Sequence, residues 1–264
     1  MTDFPLHGAL PHDDAVTFRV WAPDADTVTL DLDGGPSLPL SKTEDGLCER
    51  TTGAAGPGTH YQFRLDADGP FPDPASRFQP DGVHGPSEVI DPDAYEWDDA
   101  DWDGVAREDL VIYELHVGAF TDAGSFDAVR EQLAYLKDLG VTAIELMPVH
   151  DFPGARNWGY DPAAWFAPSH AYGRPADLRR LVDAAHQTGL AVILDVIYNH
   201  LGPDGAYANA FAPFLTDKYE TPWGRAINLD DEGSYGVRRF FVDNALHWLR
   251  EYHVDGLRLD ATHA

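Results

Sequence analysis

The spacing of hydrophobic positions changes near residue 110. Before it, apolar residues fall in short alternating or β-rich runs at 16–21, 27–32 and 60–65, separated by the turn signals Asp33-Gly-Gly-Pro36, Glu44-Asp-Gly46 and Gly53-Ala-Ala-Gly-Pro-Gly58. Period-two runs with no helical spacing between them predict an antiparallel β-sandwich over residues 1–96. A Pro- and Asp-rich stretch at 71–80 closes this half, and Trp97-Asp-Asp-Ala-Asp-Trp-Asp103 reads as an acidic linker over 97–109.

After residue 110 strands alternate with helical spacing. A strand is predicted over 110–120, then a helix with Phe126, Val129, Leu133 and Leu136 on one face and Gly140 just past its end. A second strand follows at 141–149. Pro175 suits the first position of the next helix, Leu178, Leu181, Val182 and Ala185 form its stripe, and Gly189 stops it. The near-continuous apolar run 190–197 suits a parallel strand covered on both faces. Val237, Phe240, Phe241, Ala245, Trp248, Leu249 and Tyr252 mark a third helix, and 254–260 a fourth strand. The order predicts parallel strands joined by crossover helices, half of a (β/α)8 TIM barrel over 110–264 with an insert at 201–235. An open doubly wound sheet is the rival, but no Gly-rich phosphate loop follows the first strand.

Composition narrows the partners. Hydrophobic residues at 44% and aromatics at 12% fit a globular chain, not a disordered one. With 45 acidic against 18 basic residues the formal charge is −27, which disfavours nucleic acid and anionic membranes and leaves a neutral ligand such as a sugar open. Cys48 is the only cysteine, so neither an intrachain disulfide nor a thiolate metal site is expected. Residues 1–7 lack the basic and apolar regions of a signal peptide, and no apolar run is long enough to span a bilayer; a cytoplasmic protein is expected.

Chemistry gathers at the ends of the third and fourth strands. In Gly256-Leu-Arg-Leu-Asp260, Arg258 and Asp260 share a face, while Leu257 and Leu259 face the helices. An Arg beside a carboxylate keeps it ionised, as a nucleophile requires; a structural ion pair fits the same residues equally well. In Asp195-Val-Ile-Tyr-Asn-His200, Asp195 lies deeper and is read as support for Arg258, and His200 as a donor to a ligand hydroxyl. Trp158 and Tyr160, in Asn157-Trp-Gly-Tyr-Asp161, offer a stacking platform for a pyranose ring or a lid over the core. His116, His150, His200 and His263 come from different segments without a second ligand at the usual spacing, so no catalytic metal and no cofactor is expected. No Gly-x-Ser-x-Gly elbow occurs.

These two segments together resemble the first two signature regions of the α-amylase superfamily, glycoside hydrolase family 13. Phe71-Pro-Asp-Pro-Ala-Ser-Arg-Phe-Gln-Pro80, Gly85-Pro-Ser-Glu-Val89, Tyr113-Glu-Leu-His-Val117 and the stretch 214–228 resemble the members that cut the α-1,4 bond next to the trehalose end of maltooligosyl trehalose and release trehalose. The resemblance implies Asp260 as nucleophile and Arg258 as the group orienting it. It implies Tyr160 and His200 as contacts to the sugar whose bond is cut, His263 on the leaving-group side, and Asp195 as structural support. Trp158 and Leu259 join the candidate substrate contacts and Asn199 the supporting residues. Branching and debranching enzymes of the family are the alternatives, and a glucan-binding or structural fragment is the non-enzymatic one.

The family also needs a general-acid Glu after a fifth strand and an Asp after a seventh, and neither position falls within the 264 residues. Asp255 lies five residues before Asp260, roughly 16 Å along a strand, and Glu251 sits on the preceding helix. Neither can replace the acid. The chain is therefore expected to be the amino-terminal portion of a longer retaining hydrolase, inactive by itself and prone to aggregate or dimerise through open strand edges.

Overall fold

The computed structural model describes residues 4–263; Met1–Asp3, within the stretch read for a signal peptide, and Ala264, which closes the second motif, lie outside them. The amino-terminal strands are β1 (Gly8–Pro11), β2 (Val16–Trp21), β3 (Val28–Leu32), β4 (Ser37–Pro39), β5 (Ser41–Lys42), β6 (Leu47–Thr52), β7 (His60–Leu65), β8 (Asp68–Phe71) and β9 (Ser87–Glu88). They make two antiparallel sheets, ordered β1-β2-β6-β5 and β4-β3-β7-β8, with β9 added to β7. Alternation explains the burial: Phe18, Val20, Leu30, Leu32, Phe63 and Leu65 join one cluster contributed by both sheets. β3 begins at Val28 because the Thr27 N–H and hydroxyl both donate to the Asp66 carboxylate.

The second half contains β10 (Ile112–Leu115), α1 (Val117–Phe120), α2 (Phe126–Arg130), α3 (Leu133–Asp138), β11 (Ala143–Leu146), β12 (His150–Asp151), β13 (Ala164–Pro168), α4 (Pro175–Thr188), β14 (Ala191–Val196), α5 (Ala208–Phe211), β15 (Leu215–Thr221), β16 (Gly224–Ile227), α6 (Ser234–Glu251) and β17 (Gly256–Leu259). β10, β11, β14 and β17 lie side by side in chain order, all parallel. One face of this sheet (Leu115, Ile144, Leu146, Val192, Leu194, Val196) packs into a cluster with Phe126, Val129, Leu136, Leu178, Leu181, Val182 and Trp248 from the helices. The other face carries Glu114, Glu145, Ile193 and Arg258, all at least partly exposed. Gly140 and Gly189, at φ +95° and +76°, end α3 and α4 alike. In each case the glycine N–H reaches a carbonyl three residues back and the next N–H one five back, as a Schellman end requires.

Several expected elements are shorter or divided. The strand expected over 110–120 ends at Leu115 and turns into α1, and the one over 141–149 ends at Leu146, after which β12 pairs antiparallel with β13. The helix expected from Phe126 to Leu136 is two pieces, parted where the Gln132 N–H bonds Val129 O, a tighter i→i−3 turn. The 201–235 insert holds α5 and the β15–β16 hairpin. Leu249 and Leu259, both placed by spacing against the core, are 40% and 49% exposed. On α6 a polar ladder takes buried positions on a second side. Asn244 donates to Trp165 O and accepts from Tyr198, His247 meets Phe166 O, and Glu251 takes a two-pronged bond from buried Arg77 at 2.9 and 2.6 Å.

The acidic stretch 97–109 is anchored at its aromatic ends. Trp97 stacks on His253 at 3.8 Å and Trp102 on His186 at 4.8 Å. The Asp99 carboxylate lies between the two histidines, 2.9 Å from His186 Nδ1 and 2.8 Å from His253 Nδ1, while His186 Nε2 faces Asp255 at 3.1 Å. No helix of the described residues is long and apolar enough to cross a membrane.

Two outcomes follow from these contacts. Glu251→Ala leaves the Arg77 guanidinium buried without its anion, so urea unfolding should show a loss of about 3–5 kcal/mol. The second concerns pH. Burial works against charge on His186, but its bonds to Asp255 and Asp99 hold its pKa above the ordinary histidine value; against burial, the histidines hold both acids below the usual carboxylate range. A raised histidine pKa adds stability that is complete below about pH 6.5 and lost as pH rises through the folded-state value; a lowered carboxylate adds stability complete above about pH 4 and lost as pH falls through its own. The cluster should stabilise most between those limits. His186→Gln is expected to lower Tm more near pH 5.5 than near pH 8.5, and an equal drop at both would show a neutral imidazole.

Candidate active site

Parallel pairing of β14 with β17 sets Asp195 opposite Arg258 at the C-terminal ends of the strands. Both project from the face left open by the helices. Arg258 Nη1 donates to both Asp195 oxygens at 2.9 Å and to Asp260 Oδ1 at 2.8 Å. Asp195 is fully buried and also accepts from the Tyr160 hydroxyl at 2.8 Å. Burial pushes its carboxyl above the ordinary value, and the bonds from Arg258 and Tyr160 pull it back. The bond to Asp195, reinforced by the one to Asp260, holds the Arg258 guanidinium well above its ordinary pKa and therefore charged. Asn199 Nδ2 donates to Asp260 Oδ2 at 3.2 Å, so each Asp260 oxygen has one protein donor and retains lone pairs for other chemistry.

The loop carrying Tyr160 is fixed by its own sequence. Gly159 sits at φ +94°, and a Cβ there would lie 2.3 Å from Pro148 O, which only glycine avoids. Asn157 accepts from the Gly159 N–H through Oδ1, donates to Asp161 through Nδ2, and has its carbonyl 2.7 Å from His116 Nε2. Tyr160 is thereby aimed at Asp195, while Trp158 on the same loop is 76% exposed. The two rings do different things instead of forming one platform.

His200 is buried at the end of β14, and both ring nitrogens face protein oxygens: Nε2 the Tyr160 carbonyl at 2.8 Å, Nδ1 the Asn199 Oδ1 at 2.7 Å. A ligand hydroxyl would have to displace one of them, which the strand pattern alone did not reveal. Trp223, from the β15–β16 turn, stacks on His200 at 5.0 Å and 14° and keeps about half its surface exposed. That contact is long-range, and nothing in the local spacing points to it. Leu259 and His263 are exposed beyond these contacts, and Asp255 lies at the other end of β17, its carboxylate accepting from Val192 N. Glu114 and Glu145 pair in register on the same face; burial, then Glu114 and Asp195, push the Glu145 carboxyl up. Among the described residues no three His, Cys, Asp or Glu side chains gather closely enough to hold a metal ion.

Comparison with known proteins agrees with this arrangement. Residues 89–218 match the family "Alpha amylase, catalytic domain". The chain is 50% identical over 252 residues to the malto-oligosyltrehalose trehalohydrolase of Saccharolobus solfataricus, covering 96% of this chain and 45% of that protein. It is 48% identical to the enzyme of the same name from Deinococcus radiodurans, covering 96% of this chain and 41% of that one. A crystal structure of an α-amylase candidate from Salmonella typhimurium superposes with a TM-score of 0.93 at 44% identity, over 97% of this chain and 44% of that chain. The fold is of the α-amylase type, and the chain resembles the malto-oligosyltrehalose trehalohydrolases. It spans less than half the length of the relatives it matches.

Tyr160→Phe removes one of the donors to buried Asp195 while leaving the ring. Denaturant unfolding should show a loss of about 1 kcal/mol, and no loss would mean that water or Arg258 replaces the bond completely.

Proposed function

We propose that this chain supplies the nucleophile half of a retaining glycoside hydrolase that cleaves the α-1,4-glucosidic bond next to the trehalose end of maltooligosyl trehalose. The observation that carries the reading is the single Arg258 guanidinium bonded to both Asp195 and Asp260 at the strand ends. Similarity to trehalohydrolases over nearly the whole chain supports the substrate. On this reading residues 1–96 form a β-sandwich, 97–109 a connecting strap, and 110–264 the first four β/α units of a (β/α)8 barrel. The enzyme is cytoplasmic and needs no cofactor.

Asp260 attacks the anomeric carbon as the bond to the leaving sugar breaks. A general acid gives its proton to the leaving oxygen, and water then hydrolyses the glycosyl ester. A retaining pair needs carboxyls about 5–5.5 Å apart across the bond. Asp195 does not qualify, because its oxygens are occupied by Arg258 and Tyr160 and it is fully buried. On this reading the acid comes from the part of such an enzyme that this chain does not span. Arg258 orients Asp260, Asn199 fixes its second oxygen, Tyr160 and His200 with Trp223 shape the bound sugar's site, and His263 faces the leaving group.

In the whole protein that carries this chain, Asp260→Asn keeps the shape and removes the attacking charge. Trehalose release from maltooligosyl trehalose should fall by several orders of magnitude, while binding of the substrate largely survives. Near-normal turnover would return Asp260 and Arg258 to a structural ion pair. Transfer of chains into α-1,6 branches by the unmodified protein would replace the hydrolase with a branching enzyme.

A further inference from the structure

The loop between β12 and β13 carries Tyr160, yet the strands hold little of it. They pair only at His150 with Pro168 and at Asp151 with Ala164, across an irregular register that leaves 152–163 between them. Two bonds on the loop belong to the site itself: the Tyr160 hydroxyl to Asp195, and the Tyr160 carbonyl to His200 Nε2. From 153 to 158, the bonds to another element among the described residues all meet at one atom, the Asn157 carbonyl oxygen. His116 Nε2 lies 2.7 Å from it. The Tyr172 hydroxyl lies 3.5 Å from it and 3.2 Å from the same nitrogen. A carbonyl only accepts, so His116 carries a proton on Nε2 and donates it. Its Nδ1 is buried without a hydrogen-bond partner, so the polar bonding of the ring goes to Asn157 and Tyr172.

These donors stand on rigid ground. His116 follows β10 and caps α1, and both rings press on Gly118, where a Cβ would come within 2.9 Å of Tyr172 and 3.1 Å of His116. Tyr172 is buried and meets Phe126 and Phe152 edge-on at 5.8 and 5.5 Å. What they hold is passed along the loop. The Asn157 side chain takes the Gly159 N–H, Tyr160 follows with its hydroxyl on Asp195, and Arg258 joins Asp195 to Asp260. A carbonyl anchored at 2.7 Å thus heads a chain of bonds that ends on the proposed nucleophile. The geometry points to His116, assisted by Tyr172, as a positioning residue for the bond-cutting centre, acting through the place it gives Tyr160. That a bond is cut there rests on the function proposed above; the hold on the loop rests on these contacts alone.

The test uses the whole protein that carries this chain. His116→Phe keeps a ring and deletes the donor, whereas His116→Gln returns an amide N–H at about the reach of Nε2. With His116→Phe, kcat for trehalose release should fall roughly tenfold or more, as displacement of a positioning group does, and His116→Gln should recover most of it. Beside Tyr160→Ala, His116→Phe should cost no further activity, because the residue it acts through is gone; a loss of stability would reappear there in full. Trypsin reads the loop directly. Arg156 is exposed, and cleavage after it should quicken with His116→Phe and slow again with His116→Gln. Should His116→Phe fail to fold, Tyr172→Phe removes the second donor, keeps the ring, and should show the same pattern more weakly. Unchanged kcat, an undiminished penalty beside Tyr160→Ala, or equal rates of tryptic cleavage would each overturn the assignment. The tryptic comparison needs no turnover, so it still judges the hold on the loop if the unmodified protein releases no trehalose, a result that would overturn the proposed function instead.

Discussion

The parallel register that sets Asp195 opposite Arg258 is the constraint on which both core and site depend. Side chains alternate across a strand, so a slip of one residue would exchange the two faces of β17. Arg258 would then enter the cluster where Leu257 packs, and a leucine would replace it among the carboxylates. The hydrophobic packing of the helix-covered face therefore fixes the position of the charged pair on the other. The dependence also runs the other way. Asp195 has no exposed surface, and a buried carboxylate without Arg258 would be an uncompensated charge costing several kcal/mol.

The same logic joins the two halves of the chain. α6 contacts the parallel sheet through Trp248, within the main apolar cluster, and the amino-terminal half through the bond from Arg77 to Glu251. Arg77 comes from the Pro- and Asp-rich stretch that follows the amino-terminal sheets, and it also reaches Ala9 O on β1. One helix is thus clamped between an apolar surface and a buried ion pair. The strap containing Trp97 and Trp102 adds a second clamp at the opposite end of β17 from Asp260, built from aromatic stacking and shared protons.

What could be read from the sequence follows from what local patterns encode. The runs at β2, β3 and β7 were visible because each alternates, and α4 because its apolar stripe, leading proline and closing glycine agree. β4, β5 and β8 were not visible, being two to four residues long with no buried position. Leu249 misled because helical spacing does not say which further side of α6 is covered; there Asn244 and His247 are buried against carbonyls of β13, and Glu251 against Arg77. At the site, the grouping of Asp195, Arg258 and Asp260 follows from strand parity and from the two motifs lying on adjacent strands. The stacking of Trp223 on His200 does not, since a hairpin must cross from the insert to make it. Nor could the motif show that both His200 nitrogens are already bonded, because one partner is a backbone carbonyl forty residues away in the chain.

The charge of −27 takes on a structural meaning once the cations are located. Arg77 and Arg179 are almost fully buried, where the first satisfies Glu251 and the second donates to the Glu251 carbonyl and lies over Tyr252. Arg258 is divided between two aspartates. In a chain with so few basic residues, these three act within the fold instead of forming a basic surface. The uncharged glucan proposed above would be neither attracted nor repelled by the acidic exterior, so its recognition would rest on close contacts: stacking on rings such as Trp223 and bonds to fixed acceptors. On the proposed function, the acidic surface therefore leaves recognition to the geometry of the strand ends, where Arg258 bonds Asp260 and holds it in place.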